Sequence, residues 1–228
     1  MRLHLTISKT QELLHYWFGI SLSKGSISKA LLEAGRAASC LEPEIIAALR
    51  VSGLLHVDET SWKEHKIQRW LWVAVGHQAV YFCVGPRNLE MAQKIIGDFK
   101  GILMTDGYKA YRWYKECLKQ RDAKNEKVRA FAGEVINDNQ AIFRILKQPD
   151  CPLTNNSAEQ ALRPMVILRK ISYGSKTEEG SRSIAILASA TETIRVRGHI
   201  VWSFFSRLFK ARRSGCSPPS LPPIFVPS

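Results

Sequence analysis

The sequence predicts an α/β protein built around one mixed sheet, and three features of the chain lead to this fold class. Residues 54–85 contain successive segments rich in Val and aromatic side chains, which is typical of neighbouring strands. An amphipathic segment at residues 87–99 then leads into a fourth apolar segment at residues 101–105. A strand, a helix and a second strand in this order form a crossover, which joins parallel strands. The sheet should therefore combine antiparallel and parallel pairs.

The pattern of the first 50 residues predicts helices and no strand. Residues 8–36 form two short amphipathic segments, with Gly19 ending the first and Ser23 placed to cap the second. Residues 37–50 predict one more helix, with Pro43 in its first turn. Two helices joined by a short turn, the second opening with Ser, Lys and Gly, are typical of a helix-turn-helix that enters a DNA major groove. The same pattern fits a plain αα-hairpin, which the pattern alone favours.

Turn residues and polar segments bound the four strands. The strands are predicted at residues 54–58, 69–76, 79–85 and 102–106. His77 and Gln78 form a tight turn between the second and the third strand. Residues 108–148 show helical periodicity without a run of β-branched or aromatic residues, so no fifth strand is expected there. The outer edge of the fourth strand would then need another element or a partner chain to cover it.

The remainder of the chain predicts helices that end in a tail. Asn155 or Asn156 can cap a helix that carries Glu159 in its first turn. After it we expect a Gly/Ser-rich loop at residues 171–183, a helix at residues 183–196 and a final helix at residues 199–213. Residues 214–228 are rich in proline and predict a tail that is not a fold element.

The charge of the chain favours a polyanionic partner. The formal net charge is +13, and residues 160–213 hold eleven Lys and Arg against three Glu. A solvated basic surface would show the same excess, so the charge alone does not decide between the two. The five Cys are scattered and form no CxxC pair, which argues against a disulfide framework or a zinc site. No apolar run reaches the ~18 residues of a membrane span, so we expect a cytoplasmic protein with no membrane partner.

Three carboxylates supply the candidate chemistry. Asp58 and Asp106 each end a predicted strand, and Glu159 opens a helix. Each alone has an ordinary structural explanation: an Asx turn for Asp58, a tight turn for Asp106 and the helix dipole for Glu159. Together they can converge on one edge of the sheet and hold Mg²⁺ or Mn²⁺, which prefer oxygen ligands. A β-β-β-α-β order with acids at these places is the layout of an RNase H-like nuclease core.

Several segments resemble the transposases of the insertion sequence 66 family, which are bacterial enzymes of the Asp-Asp-Glu type. The resemblance runs through HVDETSW, RWLWVAVG and LMTDGYKAYRWY, and it is most specific from Leu153 to Gly198, in LTNNSAEQALRP and ILRKISYGSKTEEGSR. It implies that Asp58, Asp106 and Glu159 form the catalytic, metal-binding triad. It also implies that the N-terminal helix pair is a DNA-binding helix-turn-helix.

This resemblance divides the chain into three parts and nominates DNA contacts. We expect a helix-turn-helix-like region at residues 1–50, an RNase H-like core at residues 51–213 and a proline-rich tail at residues 214–228. The expected DNA-binding residues are Lys24, Ser26, Lys29, Arg163, Arg169 and Lys170. The neighbours of Asp58 on the first strand have structural explanations. Glu59 should face away from Asp58, and His56 should be an ordinary strand residue. Trp62 could stack on a flipped base, but packing in the core is the simpler role.

The spacing of the acids departs from that family. Only 53 residues separate Asp106 from Glu159 (159 − 106 = 53), where the family has a longer insertion with a further strand. From the resemblance, the leading function is still a metal-dependent DNA transposase, expected to act as a homo-oligomer on transposon ends and target DNA. The alternatives are a shortened relative that binds element ends without cutting them, and a nuclease that uses the same acids without strand transfer. Because a missing strand would loosen the seat of Glu159, we expect cleavage to be weak or absent.

Overall fold

The computed structural model describes residues 5–105 and 154–225. Its helices are α1 (Ile7–Phe18), α2 (Lys24–Ala38), a 3-10 turn (Ser39–Leu41), α3 (Glu42–Arg50), α4 (Leu89–Ile96), α5 (Asn156–Ser172), α6 (Glu178–Val196) and α7 (Val201–Arg213). Its strands are β1 (Leu54–Glu64), β2 (Ile67–Val75), β3 (Val80–Gly85) and β4 (Ile102–Met104).

The sheet is mixed, as the sequence predicts. Its strand order is β3-β2-β1-β4, with β1, β2 and β3 antiparallel in succession and β4 parallel to β1. The turn between β2 and β3 is closed by the Gly76 amide, which donates to the Ala79 carbonyl at 2.9 Å. The four expected strands are present, although β4 ends at Met104, before the predicted end at residue 106. The segment 108–148, expected to be helical without a fifth strand, lies outside the described residues.

β1 is longer than predicted, and this corrects the placement of Asp58. The prediction that a strand ends at Asp58 is wrong, because β1 continues to Glu64 and Asp58 pairs with Val73 in mid-strand. The strand turns at His65 and Lys66, whose φ angles are 45° and 68°. Two consecutive positive φ angles form the type of hairpin turn that matches the twist of its strands. The sequence hid this turn because it lacks the usual Asn or Gly.

The N-terminal helices begin and end as the sequence predicts. Gly19 ends α1 in the left-handed conformation, and the Ser23 hydroxyl accepts a hydrogen bond from the Ser26 amide at the start of α2. α2 packs closely on α6, since a Cβ at Gly35 would lie only 2.4 Å from the side chain of Ser183. α2 is thus docked on the helices of the sheet domain, and the domain limits of 1–50, 51–213 and 214–228 stay predictions.

One apolar layer covers each face of the sheet. On one face, Leu55, Val57 and Trp72 pack with α3, α4 and α7. On the other face, Trp62, Leu71 and Val73 pack with small and apolar residues of α5 and α6. Since successive residues of β1 alternate between these layers, Asp58 projects on the side of α5.

The outer edge of β3 is capped by hydroxyl groups. Thr193 accepts a hydrogen bond from the Val80 amide at 3.0 Å, and Ser189 accepts one from the Phe82 amide at 2.8 Å. Both hydroxyls lie on α6, four residues apart, so one helix turn matches two residues of strand. The edge is therefore closed by side chains rather than by another strand.

Two predictions on the C-terminal part are corrected. The loop predicted at residues 171–183 is shorter, because α6 already begins at Glu178, with the Thr177 hydroxyl accepting from the Gly180 amide as its N-cap. The tail after Ser214 has no helix or strand up to residue 225, but it does pack on the fold. Leu221 is 9% exposed, and its amide donates to Glu44 on α3 at 2.8 Å. Across residues 5–105 and 154–225, no helix is long and apolar enough to span a membrane.

Candidate active site

An open groove between β1 and α5 contains two of the three predicted catalytic acids. Its volume is about 420 Å³, and its polar lining residues are Asp58, Glu59, Thr60, Glu159 and Arg163. Asp58 is half-buried on the strand, whereas Glu159 and Arg163 are exposed on the helix. The structure thus brings Asp58 and Glu159 to one site. Asp106, the third predicted acid, lies outside the described residues.

The two acids at the centre of β1 point in opposite directions. Asp58 lines the groove, and its carboxylate also accepts a hydrogen bond from the Glu59 amide at 2.8 Å. Glu59 pairs across the sheet with Trp72, in the opposite layer, and its side chain is 0% exposed. It forms an ion pair of 2.6 Å with Arg87. Glu59 therefore serves the structure, as the alternation of the strand predicts.

Asn155 fixes the start of α5 against β1. Its side-chain amide nitrogen donates to the Val57 carbonyl at 3.0 Å, and its side-chain oxygen lies 3.2 Å from Nδ1 of His56. Asn155 occupies the N-cap position of α5, as predicted for Asn155 or Asn156, but its side chain forms no cap hydrogen bond. Instead, Asn155 ties the helix to the residue before Asp58. Glu159, one turn into the helix, is thereby held beside the same strand segment.

The exposed edge of β1 beyond β4 is covered by α5 and the loop that follows it. β4 pairs with β1 only as far as His56. Further along, Nη1 of Arg169 donates to the carbonyl of Ser61 and, at 3.0 Å, to the hydroxyl of Thr60. The Ser175 amide then donates to the Lys63 carbonyl at 2.9 Å. These contacts satisfy strand groups that would otherwise be left unpaired, and they hold α5 along β1.

His56 is a buried strand residue, as expected. It is 7% exposed, and burial lowers the pKa of its imidazole below the usual 6.5, while the hydrogen bond to Asn155 opposes this shift. A neutral imidazole must carry its proton on Nδ1, because the partner there is the oxygen of an amide whose nitrogen already donates to Val57. The histidine thus belongs to the anchor of α5.

Trp62 packs and does not stack on a base. Its side chain is 0% exposed, and its indole N–H donates to the Ser175 hydroxyl at 3.2 Å. The simpler of the two explanations from the sequence is therefore the correct one. An aromatic contact to DNA has to come from another residue.

The predicted DNA-binding residues lie on two separate surfaces. Lys24, Ser26 and Lys29 are exposed on the first two turns of α2. Arg163 and Lys170 are exposed on α5, near the groove and near the end of the helix. Arg169 is half-buried, with one guanidinium nitrogen bound to β1. The DNA contacts of all six residues stay predictions.

Sequence reasoning missed the anchoring roles of Asn155 and Arg169. The sequence predicts Asn155 as a helix cap and Arg169 as a phosphate contact, because these residue types are common in those roles. The partners are carbonyl and hydroxyl groups of β1, about 100 positions earlier in the chain. The available signal was the polar run from Asp58 to Ser61 between the packed residues Val57 and Trp62.

The donor chemistry of the groove suits a hard cation. Asp58 and Glu159 provide carboxylate oxygens, the ligands that Mg²⁺ and Mn²⁺ prefer. Within the two described stretches, no group of three or more His, Cys, Asp or Glu is placed to hold a metal ion. The described part of the groove contributes Asp58 and Glu159 as candidate ligands, and the predicted third ligand is Asp106.

Comparison with known protein families identifies the chain. A family model described as "Transposase IS66 family" matches residues 1–121 and residues 111–183. The two matched stretches overlap at residues 111–121, which lie between Asp106 and Glu159 in the sequence. No match was found among curated proteins or among solved structures. Since the family model covers residues 1–183 of the 228, this chain belongs to the IS66 family of transposases.

Proposed function

We propose that this chain is an Asp-Asp-Glu transposase whose metal-binding acids are Asp58, Asp106 and Glu159. The observation that carries the proposal is the groove in which Asp58 and Glu159 lie together. The pairing of β1 with β4 supports the third member. His56 is opposite Met104, and each is followed two positions later by an aspartate, Asp58 and Asp106 respectively.

The sheet supports an RNase H-like fold for the core. Three antiparallel strands are followed by a helix and a strand parallel to the first, in the order β3-β2-β1-β4. In this arrangement the first acid lies in mid-strand on β1, facing the helix that carries the glutamate.

The residues of the groove divide the work on a phosphodiester. Asp58, Asp106 and Glu159 would hold Mg²⁺ or Mn²⁺, which supplies an activated water or 3′-hydroxyl and stabilises the leaving oxygen. Arg163, one turn after Glu159, is placed to bind a phosphate of the same strand. Lys24, Ser26 and Lys29 on α2 would bind DNA separately, in the manner of a helix-turn-helix. Assembly of several copies on DNA in the cytoplasm is part of this proposal.

Cleavage of element-end DNA tests the proposal. Purified protein is incubated with Mg²⁺ or Mn²⁺ and a duplex carrying the end sequence of an insertion element of this family. We expect weak nicking at the element end, and this nicking should be lost in Asp58→Ala and in Glu159→Gln. The matched control is Glu90→Gln, since Glu90 is also an exposed glutamate in the first turn of a helix, α4. Cleavage that survives Asp58→Ala would refute the assignment of the acids.

A second candidate is a relative that binds element ends without cutting them. Two observations favour it: only 53 residues separate Asp106 from Glu159 (159 − 106 = 53), and the family model matches in two stretches rather than one. This candidate predicts tight binding of the end duplex by the wild type, no cleavage with either metal, and unchanged binding in Asp58→Ala. Binding and cleavage measured on the same duplex separate the two functions.

A further inference from the structure

Tyr173 is the most exposed aromatic side chain near β1 and α5, the two elements that form the groove. It is 83% exposed and follows directly after α5. Its φ of 58° is in the left-handed region, which costs a non-glycine residue about 1 kcal/mol and persists only where the surroundings impose it. A glycine or an asparagine would fit this backbone with less strain. The chain instead holds a tyrosine ring in solvent.

The loop that carries Tyr173 is rigidly attached to the sheet. The Tyr173 amide donates to the Arg169 carbonyl at 2.8 Å. Gly174 lies so close to β1 that a Cβ there would overlap the Lys63 carbonyl at 2.1 Å. Ser175 then bonds the backbone on both sides of Glu64, accepting from the His65 amide at 3.0 Å and donating to the Lys63 carbonyl at 2.9 Å. The loop therefore presents the ring from a fixed position.

The residues around the ring are basic. The β1–β2 hairpin, which contacts this loop, carries Lys63 and Lys66, and both are exposed. Lys170 lies three residues before Tyr173 and Lys176 three residues after it, both also exposed. The acid of the hairpin, Glu64, is 7% exposed and pairs with Arg69 at 3.4 Å.

The nearest acids on α6 do not remove this excess. Glu179 pairs with Arg36 at 2.6 Å, and Glu178 lines a cavity that also includes Glu64 and Arg69 of the hairpin, so one acid, unpaired among the described residues, faces four lysines. The surface around Tyr173 thus combines an aromatic ring with four lysines. This is the combination that binds single-stranded nucleic acid, because lysines follow the phosphates while a ring stacks on a base.

We propose that Tyr173 stacks on an unpaired base of the bound DNA strand, with Lys63, Lys66, Lys170 and Lys176 contacting the adjoining phosphates. The inference deepens the proposed function, since it rests on DNA as the partner and names a contact outside the catalytic groove. Tyr173 lies fourteen positions after Glu159, which is about 21 Å along a helix and about six steps of 3.4 Å along DNA. The stacked base is therefore several nucleotides away from the phosphate at the acids.

Binding without metal tests the stacking contact. The wild type and variants are titrated in EDTA with an element-end duplex that carries a short unpaired stretch, followed by fluorescence anisotropy. Tyr173→Asn removes the ring and suits the left-handed backbone, so the fold should be retained. We expect this variant to weaken binding about 5- to 100-fold and Tyr173→Phe to restore it. Trp202→Ala, which removes an 80% exposed aromatic on α7, is the matched control and should bind like the wild type.

The salt dependence separates stacking from charge. Tyr173→Asn should lower the affinity with the same slope of log Kd against log salt, whereas Lys66→Ala with Lys170→Ala should reduce that slope by roughly two phosphate contacts. Equal binding by wild type and Tyr173→Asn would overturn the stacking contact while leaving the transposase proposal intact. Absence of any DNA binding by the wild type would overturn both.

Discussion

Replacing Asn155 with alanine should release the start of α5 from the sheet. The variant loses the bond to the Val57 carbonyl and the contact with His56 Nδ1, at 3.0 Å and 3.2 Å. Val57 and His56 are buried, and each group left without a partner costs about 1–3 kcal/mol. Asn155 is itself half-buried, so water can partly replace it and the lower value applies to each group. We expect a loss of about 2 kcal/mol, or a Tm lower by about 4–8 °C for a protein of this size.

Urea unfolding and amide hydrogen exchange measure this effect. The matched control is Asn156→Ala, since Asn156 is exposed, immediately follows Asn155 and makes no side-chain hydrogen bond with the residues that the structure describes. It should change the stability by less than about 0.5 kcal/mol. The amides of Ala158 and Glu159 should exchange faster in Asn155→Ala, while those of α7 should not. Equal stability of the two variants would refute the anchoring role of Asn155.

Three other substitutions or conditions test the same physical account. Arg169→Ala should lower the unfolding free energy by about 1–3 kcal/mol, because it leaves the edge of β1 without its hydrogen bonds. Lys170→Ala should leave the unfolding free energy unchanged and weaken DNA binding. Urea unfolding measures the first effect and fluorescence anisotropy the second. Burial lowers the pKa of His56 in the folded protein, so its contribution to the unfolding free energy is complete above pH 6.5. This stabilisation is lost as the pH falls through the lower folded pKa. Urea titrations between about pH 7.5 and about pH 5 should show the loss, and His56→Gln should reduce it. Thr193→Val keeps the shape of a side chain that is 0% exposed but unpairs the Val80 amide, so it should cost about 1–3 kcal/mol in the same assay.

Much of the fold follows from local patterns. The caps at Gly19 and Ser23, the four strands and the crossover through α4 were all predicted, because helix ends and strand alternation depend on neighbours a few residues apart. The ends of β1 and of the loop before α6 were not. The turn at His65 and Lys66 uses residues that seldom take a positive φ, so nothing in the local sequence marked it.

For the candidate site, the sequence by itself was sufficient to select the candidate acids. It nominated Asp58 and Glu159, and it kept Glu59 out of the set through the alternation of the strand. The family resemblance rested on linear motifs and agrees with the family that the chain matches. Residue type and periodicity were sufficient for these conclusions because each depends on residues close together in the chain.

Only the tertiary structure decided how the acids are held and which aromatic faces solvent. Asn155 and Arg169 bind β1 across about 100 positions, and the burial of Trp62 depends on α5 and α6 closing over the sheet. Tyr173 is exposed because its loop is tied to the β1–β2 hairpin. A side chain of the same type can anchor, pack or face solvent according to the distant segment opposite it, and the local sequence does not encode which segment that is.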